Sequence, residues 1–296
     1  MNKGELEVGP KAKLKYDEIN YKRILGNTLL RLVLVFTTLL VVLPILWVLY
    51  TSFKTSTEFL TSPWSLPQSL QWDNYYRAFV KANMGDFFMN SIMVTAGAMA
   101  LLFAIIIPAA YALSRFKFKM SKAILMLFMA GLFINATYIV VPIFLLLKDL
   151  KMLDNRLALV IVYAATTLPF NIYLLTGFMK GIPGDYEEAA HIDGCGYWGT
   201  LFKIIMPMSK PGIITILMFS FMSYWNEYVL ALTLIQTESK RTLSVGLKNL
   251  MEIQKYATDW GAMFAGLAIV MLPTMIFYAL VQKKLTSGLS LGGLKG

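Results

Sequence analysis

The apolar positions of this chain fall in long unbroken runs, not in periodic stripes. Uncharged stretches cover residues 32–53, 87–114, 123–147, 157–179 and 260–282, each longer than the roughly 20 residues needed to cross hydrocarbon. A sixth run, 212–235, carries one charge, Glu227. A helix that is apolar all round has no polar face to turn to water. The pattern therefore predicts an all-α integral membrane protein with six transmembrane helices. Pro44, Pro108, Pro142, Pro169 and Pro273 lie inside these runs and predict kinked or unwound turns.

Composition agrees: 57% of residues are hydrophobic and 15% charged, which excludes an ordinary soluble domain. The net charge of +10 would suit a nucleic-acid or acidic-lipid partner, or a topology signal, and its distribution favours topology. With the N-terminus in the cytoplasm, inner segments hold 17 of the 27 basic residues, the densest being Arg115, Lys117, Lys119 and Lys122 in one short loop, as the positive-inside bias requires. Both termini are then cytoplasmic and no nucleic acid is expected. Residues 1–30 read as a cytoplasmic arm, since a long polar stretch before the first run is unlike a secretory signal. The single cysteine, Cys195, and the single histidine, His191, make neither a disulfide nor a metal site by themselves. There is no catalytic set of paired carboxylates or nucleophile and base, and no phosphate-binding glycine loop.

Between the fourth and fifth runs lies a polar segment, residues 180–211, and it is the most informative part of the chain. Asp185 followed by Glu188 suggests a capping box opening a short helix over 186–193. Gly194 and Gly196 permit a bend, and a second helix over 197–206 would set Trp198 beside Phe202, and Leu201 beside Ile204 and Ile205, before Pro207 ends it. Such a pair shows an aromatic and aliphatic face of the kind that receives a partner. For Glu188 the residues leave two readings open, a partner contact or a helix cap.

The spacing Glu188-Ala189-Ala190, Gly194, Ile204, Pro207 resembles the signature loop of the membrane subunits of ABC importers. Met206 stands where that pattern has leucine, and Cys195 where alanine is usual. The segments NSIMVTAGAMALLFAIIIPAAYALSRFKF, SYWNEYVLALTLI and TLSVGL, and the ending GLSLGGLKG, extend the likeness to the maltose-type permeases over most of residues 85–296. The resemblance implies a type I ABC importer permease fold, with residues 31–85 as first span and external loop, 86–282 as transmembrane core, and 283–296 as a cytoplasmic tail. It implies that Glu188, Ala189, Ala190, Asp193, Gly194, Ile204 and Pro207 couple to an ATPase subunit, with Glu188 pairing to a basic residue there. It implies also that the tail, Gly292, Gly293, Lys295 and Gly296, reaches between two ATPase subunits as a threaded glycine-rich backbone. Implied partners are a second homologous permease, two ATPases, an external sugar-binding protein, a carbohydrate and membrane lipid. ATP and Mg would sit on the ATPases, and no cofactor on this chain.

Glu227 keeps two readings. A carboxylate within a span is a candidate for proton coupling, which would make the chain an ion-coupled secondary transporter, but no other span carries a partner for a relay. Trp225, Asn226 and Glu227 form a motif typical of sugar permeases; with Tyr224 they are the candidate pathway or gating residues, and a structural or gating role for Glu227 is the expectation. Asn90, Asn135, Thr137, Asn171 and Asn226 either line a hydrophilic path or bond between helices. The external connections 54–86 and 236–259 are too long for plain turns. The first is expected to form an ordered interfacial hairpin, with Trp64, Trp72, Tyr75 and Tyr76 as either a partner surface or an aromatic belt. The sequence thus predicts a multi-pass permease of the bacterial inner membrane importing a carbohydrate, an oligosaccharide in the leading reading.

Overall fold

The computed structural model describes residues 21–253 and 259–292. Most of the N-terminal arm, and Gly293, Lys295 and Gly296 of the tail, lie outside the described residues. Chain contacts define two compact units, residues 1–47 and 48–296. In the first, helix α1 (Tyr21–Thr51) passes through Pro44 without interruption. Its leucines and valines are exposed, for example Leu32, Val35 and Leu40, which is stable only in an apolar medium. Its polar groups are satisfied within the helix, Thr37 and Thr38 donating to the carbonyls of Val33 and Leu34.

The second unit is built on two long helices, α4 (Met84–Arg115) and α7 (Arg156–Lys180). From α4 a stripe at every fourth residue, Val94, Ala98, Leu102, Ile106 and Ala110, is fully buried. It meets Leu159, Val162, Ile172, Leu175 and Met179 of α7 in one apolar cluster. Before them, α2 (Ser56–Thr61) and α3 (Asp73–Tyr76) order the first connection. Lys54 is fully buried there, its ammonium donating to the carbonyls of Ser62 and Pro63 and to Ser65 Oγ at 2.9–3.2 Å. Asn74 donates to the carbonyls of Ser52 and Lys54. The connection is ordered by short helices. Trp64, Trp72 and Tyr76 remain exposed, while Tyr75 packs against Phe53.

Between α4 and α7 the third expected span is not one helix. It is divided into α5 (Ser121–Gly131), a 3-10 turn Ala136–Ile139 and α6 (Val140–Asp149), with Asn135 Oδ1 accepting from the Thr137 amide. Gly131 ends α5 against Pro169 of α7, whose Cγ stands 2.9 Å from where a Cβ would be. After α7 come α8 (Asp185–Ile192), α9 (Tyr197–Thr200), a π turn Leu201–Ile205, α10 (Met206–Met208) and α11 (Lys210–Trp225). The fifth expected span is also interrupted, α11 stopping at Trp225 and α12 covering only Val229–Leu234. The 3-10 turn Glu238–Lys240, α13 (Leu243–Ile253) and α14 (Trp260–Gly292) complete the described chain.

Four of the six expected spans are therefore single helices long and apolar enough to cross a membrane; the other two are broken. The breaks do not fall at the prolines. Helices continue through Pro108, Pro169 and Pro273, because neighbouring helices and local adjustment re-satisfy a freed carbonyl. Helix α14 continues to Gly292, so Gly292 of the expected tail is helical.

At the end of the second unit away from α8, a smaller cluster joins Met84, Phe87, Trp225, Leu243, Leu250 and Ala265. Arg77, in the π turn after α3, pairs with Asp259 ahead of α14. Burial is the largest single influence on the Asp259 carboxyl and raises it, but the hydrogen bonds from Arg77, the Ala262 amide and Ser56, together with the Arg77 charge, outweigh it and hold the group below its ordinary value. Asp154 accepts from the amides of Gln236 and Thr237 and from the Lys240 ammonium at 2.7 Å. Lys240, and then Thr237, hold its carboxyl well below the usual range.

One close approach gives a stability test. A Cβ on Gly246 of α13 would stand 2.0 Å from the ring of buried Phe87, so Gly246→Ala should cost about 1–3 kcal/mol by overpacking. Gly177, in the interior of α7, has nothing within 4 Å of its Cβ position, and Gly177→Ala should hold or gain up to about 1 kcal/mol in helix propensity. Thermal unfolding of each purified variant should show midpoint shifts in this order.

Candidate functional site

The polar loop is a hinged pair of helices. Helix α8 begins at Asp185 with Gly184 as its N-cap and no side-chain cap. The expected capping box between Asp185 and Glu188 is absent: Asp185 is already inside the helix, and the amides of Glu187 and Glu188 bond to the Gly184 carbonyl. At the other end Gly194 has φ +77°, its amide bonds to the His191 carbonyl, and the Cys195 amide reaches the Ala190 carbonyl at 2.8 Å. This is a Schellman stop, in which a left-handed residue turns the last carbonyls back into the chain. Glycine adopts that φ without the roughly 1–2 kcal/mol cost to an L side chain.

The second helix runs farther than the sequence suggests. It passes through Pro207 to Met208, the π turn Leu201–Ile205 providing the local adjustment a proline needs. The turn comes at Ser209, where Tyr197–Met208 meets α11 at 75°. Trp198 stacks on Phe202, with centroids 5.8 Å apart, and both are exposed. Leu201 and Ile205 are fully buried in the main cluster, so the aliphatic half of the expected partner face is an anchor. Ile204 is half-buried. Tyr197 wedges between Tyr111 and Phe116, 5.1 and 5.6 Å from their ring centres.

The carboxylates of α8 divide by face. Glu188, Ala189 and Asp193 are exposed, and Ala190 is buried. Glu187, which the sequence reading passed over, turns inward, its Oε1 3.0 Å from Arg115 Nε at the end of α4. Neither atom makes an aligned hydrogen bond, so the contact is one of charge at close range. Arg115 also donates to the Ile182 carbonyl at 2.8 Å. One residue thus holds both the entry of the loop and its first helix. The signal was present in the sequence as a second glutamate one position, or about 100° of helix, from Glu188. Which of the two faces outward depends on the position of α4.

Within the spans, Glu227 lies at the break between α11 and α12. Its Oε1 accepts from the Leu230 amide at 2.7 Å, and its Oε2 from the Ala231 amide at 2.9 Å and from the Tyr163 hydroxyl at 2.7 Å. The carboxylate caps the first turn of α12. Tyr224 stacks on Tyr163 with centroids 5.5 Å apart and shares a hydrogen bond with Thr167. Trp225 donates to the Val270 carbonyl at 3.2 Å. Both rings are buried, while Asn226 is exposed and its amide returns to the Met222 carbonyl.

The polar candidates separate in the same way. Asn90 donates to the carbonyls of Ser239 and Arg241 and serves as an interhelical tie. Asn135 is a turn cap, and Thr137 is the residue whose amide it holds. Asn171 donates to the Thr167 carbonyl, but its buried Oδ1 has no protein partner. It borders a cleft of about 300 Å³ with Thr166, Thr167, Ser223 and the paired rings of Phe170 and Phe219.

Comparison with known proteins matches residues 100–289 to the family described as binding-protein-dependent transport system inner membrane component. The chain is 34% identical over 259 residues to the diacetylchitobiose uptake system permease protein NgcG of Streptomyces coelicolor, covering 88% of this chain and 86% of that protein. It is 35% identical over 255 residues to the sulfoquinovosyl glycerol transport system permease protein SmoH of Agrobacterium fabrum, covering 86% and 88%. Among solved structures it is similar to a chain of a bacterial ABC transporter involved in import of the acidic polysaccharide alginate, with TM-score 0.78, 27% identity and coverage of 90% and 98%.

Two measurements follow from the site. Glu187→Ala removes the charge partner of Arg115, at a cost of about 1–3 kcal/mol, and should raise amide hydrogen exchange across α8, whereas Glu188→Ala should leave it unchanged; the reverse order would move the anchor to Glu188. At the break, Glu227→Gln keeps one acceptor oxygen and loses the acceptor for one of the two capped amides, whereas Glu227→Ala loses both acceptors and strands both buried amides, at about 1–3 kcal/mol each. Transport should survive the first change far better than the second at matched expression.

Proposed function

The chain belongs to the family of inner-membrane components of binding-protein-dependent transport systems, and on that premise we propose that it is a permease subunit importing a carbohydrate, an oligosaccharide, with ATP as the energy source. The observation that carries the mechanism is the two-faced loop: α8 is pinned to α4 through Glu187 and Arg115 on one side and leaves Glu188, Ala189 and Asp193 open on the other. Displacement of the open face by a closing ATPase would pass through the pinned face to α4, and through the 75° bend at Ser209 to α11. Motion is transmitted because both attachments are packed or charged contacts.

In this reading the loop lies in the cytoplasm with both termini, and ATP and Mg are held by two ATPase subunits. A homologous second permease completes the path, and a sugar-loaded binding protein docks at the end formed by the 54–86 and 236–259 connections. Glu188 would meet a basic group of the ATPase, with Gly194, Ile204 and Pro207 setting the shape of the loop. The sugar class rests on the relatives' substrates and on the cleft beside Asn171, whose hydroxyls, amide and ring faces suit a hydroxyl-rich ligand. The ion-coupled alternative has less support, since the Glu227 carboxylate is engaged by three protein donors.

Uptake by cells carrying the whole assembly should stop when ATP is depleted and continue when the proton gradient is collapsed. Glu188→Lys should lower uptake at least tenfold with the permease still inserted. Full uptake with that variant would remove Glu188 from the coupling contact, and uptake that follows the proton gradient would replace an ATP-driven importer by an ion-coupled one.

A further inference from the structure

At the opposite end of α7 from the loop lies a cavity of about 620 Å³ with two chemically distinct halves, a size typical of small-molecule sites. One half is apolar, formed by Met93 of α4 and by Leu157 and Val160 of α7, with Met93 and Leu157 exposed. The other half holds Arg156, Lys240 and Asp154. Two cations face one carboxylate, so the polar half carries a net positive charge. Lys240 directs two hydrogen bonds to Asp154, at 2.7 Å and 2.8 Å, and has a third N–H to offer. Arg156 spends one N–H on Asn90 Oδ1 and keeps the rest of its five-donor fork.

The position matches the chemistry. Arg156 is the first residue of a 25-residue helix whose far end, Lys180, leads into the loop. That helix is about 37 Å long, against a hydrocarbon thickness of about 30 Å, so a bilayer centred on it would put Arg156 at headgroup depth and Leu157 and Val160 at the edge of the apolar layer. A free inorganic anion would use only the charged half. A detergent-like tail would use only the other.

We propose that this cavity is a binding site for an anionic phospholipid, its phosphate held by Arg156 and Lys240 and its acyl chain lying along Met93, Leu157 and Val160. Basic pockets between membrane helices select such headgroups by charge. The occupant would bridge α4, α7 and the 236–241 segment, which Asn90 already ties together through the carbonyls of Ser239 and Arg241. The site thus belongs to the membrane contacts of the protein, and it stands whether or not the substrate assignment does.

The test uses the purified complete assembly, stripped of native lipid and titrated separately with phosphatidylglycerol, phosphatidylcholine and inorganic phosphate, with bound lipid read by native mass spectrometry. Phosphatidylglycerol should form a saturable adduct, phosphatidylcholine should bind at least tenfold more weakly, and inorganic phosphate should not displace the lipid at equal concentration. Arg156→Gln and Lys240→Gln should each weaken the adduct about tenfold, while Arg156→Lys, which keeps the charge, should retain most of it, and Lys151→Gln outside the cavity should change nothing. Equal binding of both lipids, unchanged adducts in the Gln variants, or loss of the adduct in Arg156→Lys and Lys151→Gln alike would overturn the proposal. Displacement by phosphate alone would reduce the site to a simple anion site.

Discussion

In hydrocarbon no water is available to a peptide group that leaves a helix, and each such group costs free energy unless the protein itself provides a partner. The two broken spans depend on how that constraint is met. Asn135 caps the turn between α5 and α6. Between α11 and α12, Glu227 accepts two amides at the start of the second piece, and Tyr163 reaches across from α7 to the same carboxylate. The result is a break that is held in place. Thr37 and Thr38 of α1 and Thr166 of α7 meet the same demand by bonding back to their own helices.

Around those fixed points the α4 and α7 pair forms the frame. Its buried stripe mixes large side chains with Ala98 and Ala110, which lets the backbones approach where lipid offers no hydrophobic drive for association. The polar loop is attached to this frame by few contacts, but of different kinds: charge at Glu187 and Arg115, ring packing around Tyr197, and aliphatic burial of Leu201 and Ile205. Helix α8 has a fixed side and an open side within eight residues, because neighbouring positions on a helix differ by about 100°.

The opposite end is tied by polar contacts that share residues. Asp154 gathers Lys240 and two amides of the 236–237 segment, Asn90 gathers two carbonyls of the 239–241 segment, and Arg156 meets Asn90. Because these groups converge at the start of α7, the same charges that close the loops face the adjoining cavity. Structural pairing leaves part of their donor capacity unused.

The sequence by itself determined the class of the protein, the approximate place of each apolar segment and the place of the polar loop, because hydrophobic run length and motif spacing are properties of the chain alone. It also determined that Gly194 would turn the chain and that Trp198 and Phe202 would meet, both consequences of local geometry. Only the tertiary structure decided which face of each helix is buried, since a run apolar on every side carries no periodic signal. It decided the breaks at 132–135 and 226–228, where distant partners such as Tyr163 fix the geometry around a polar cap. It replaced the expected capping box by Gly184 and carried the second loop helix through Pro207. It also separated Glu187 from Glu188, because Arg115, 72 residues earlier in the chain, is brought to one face of α8 by packing that no local pattern encodes.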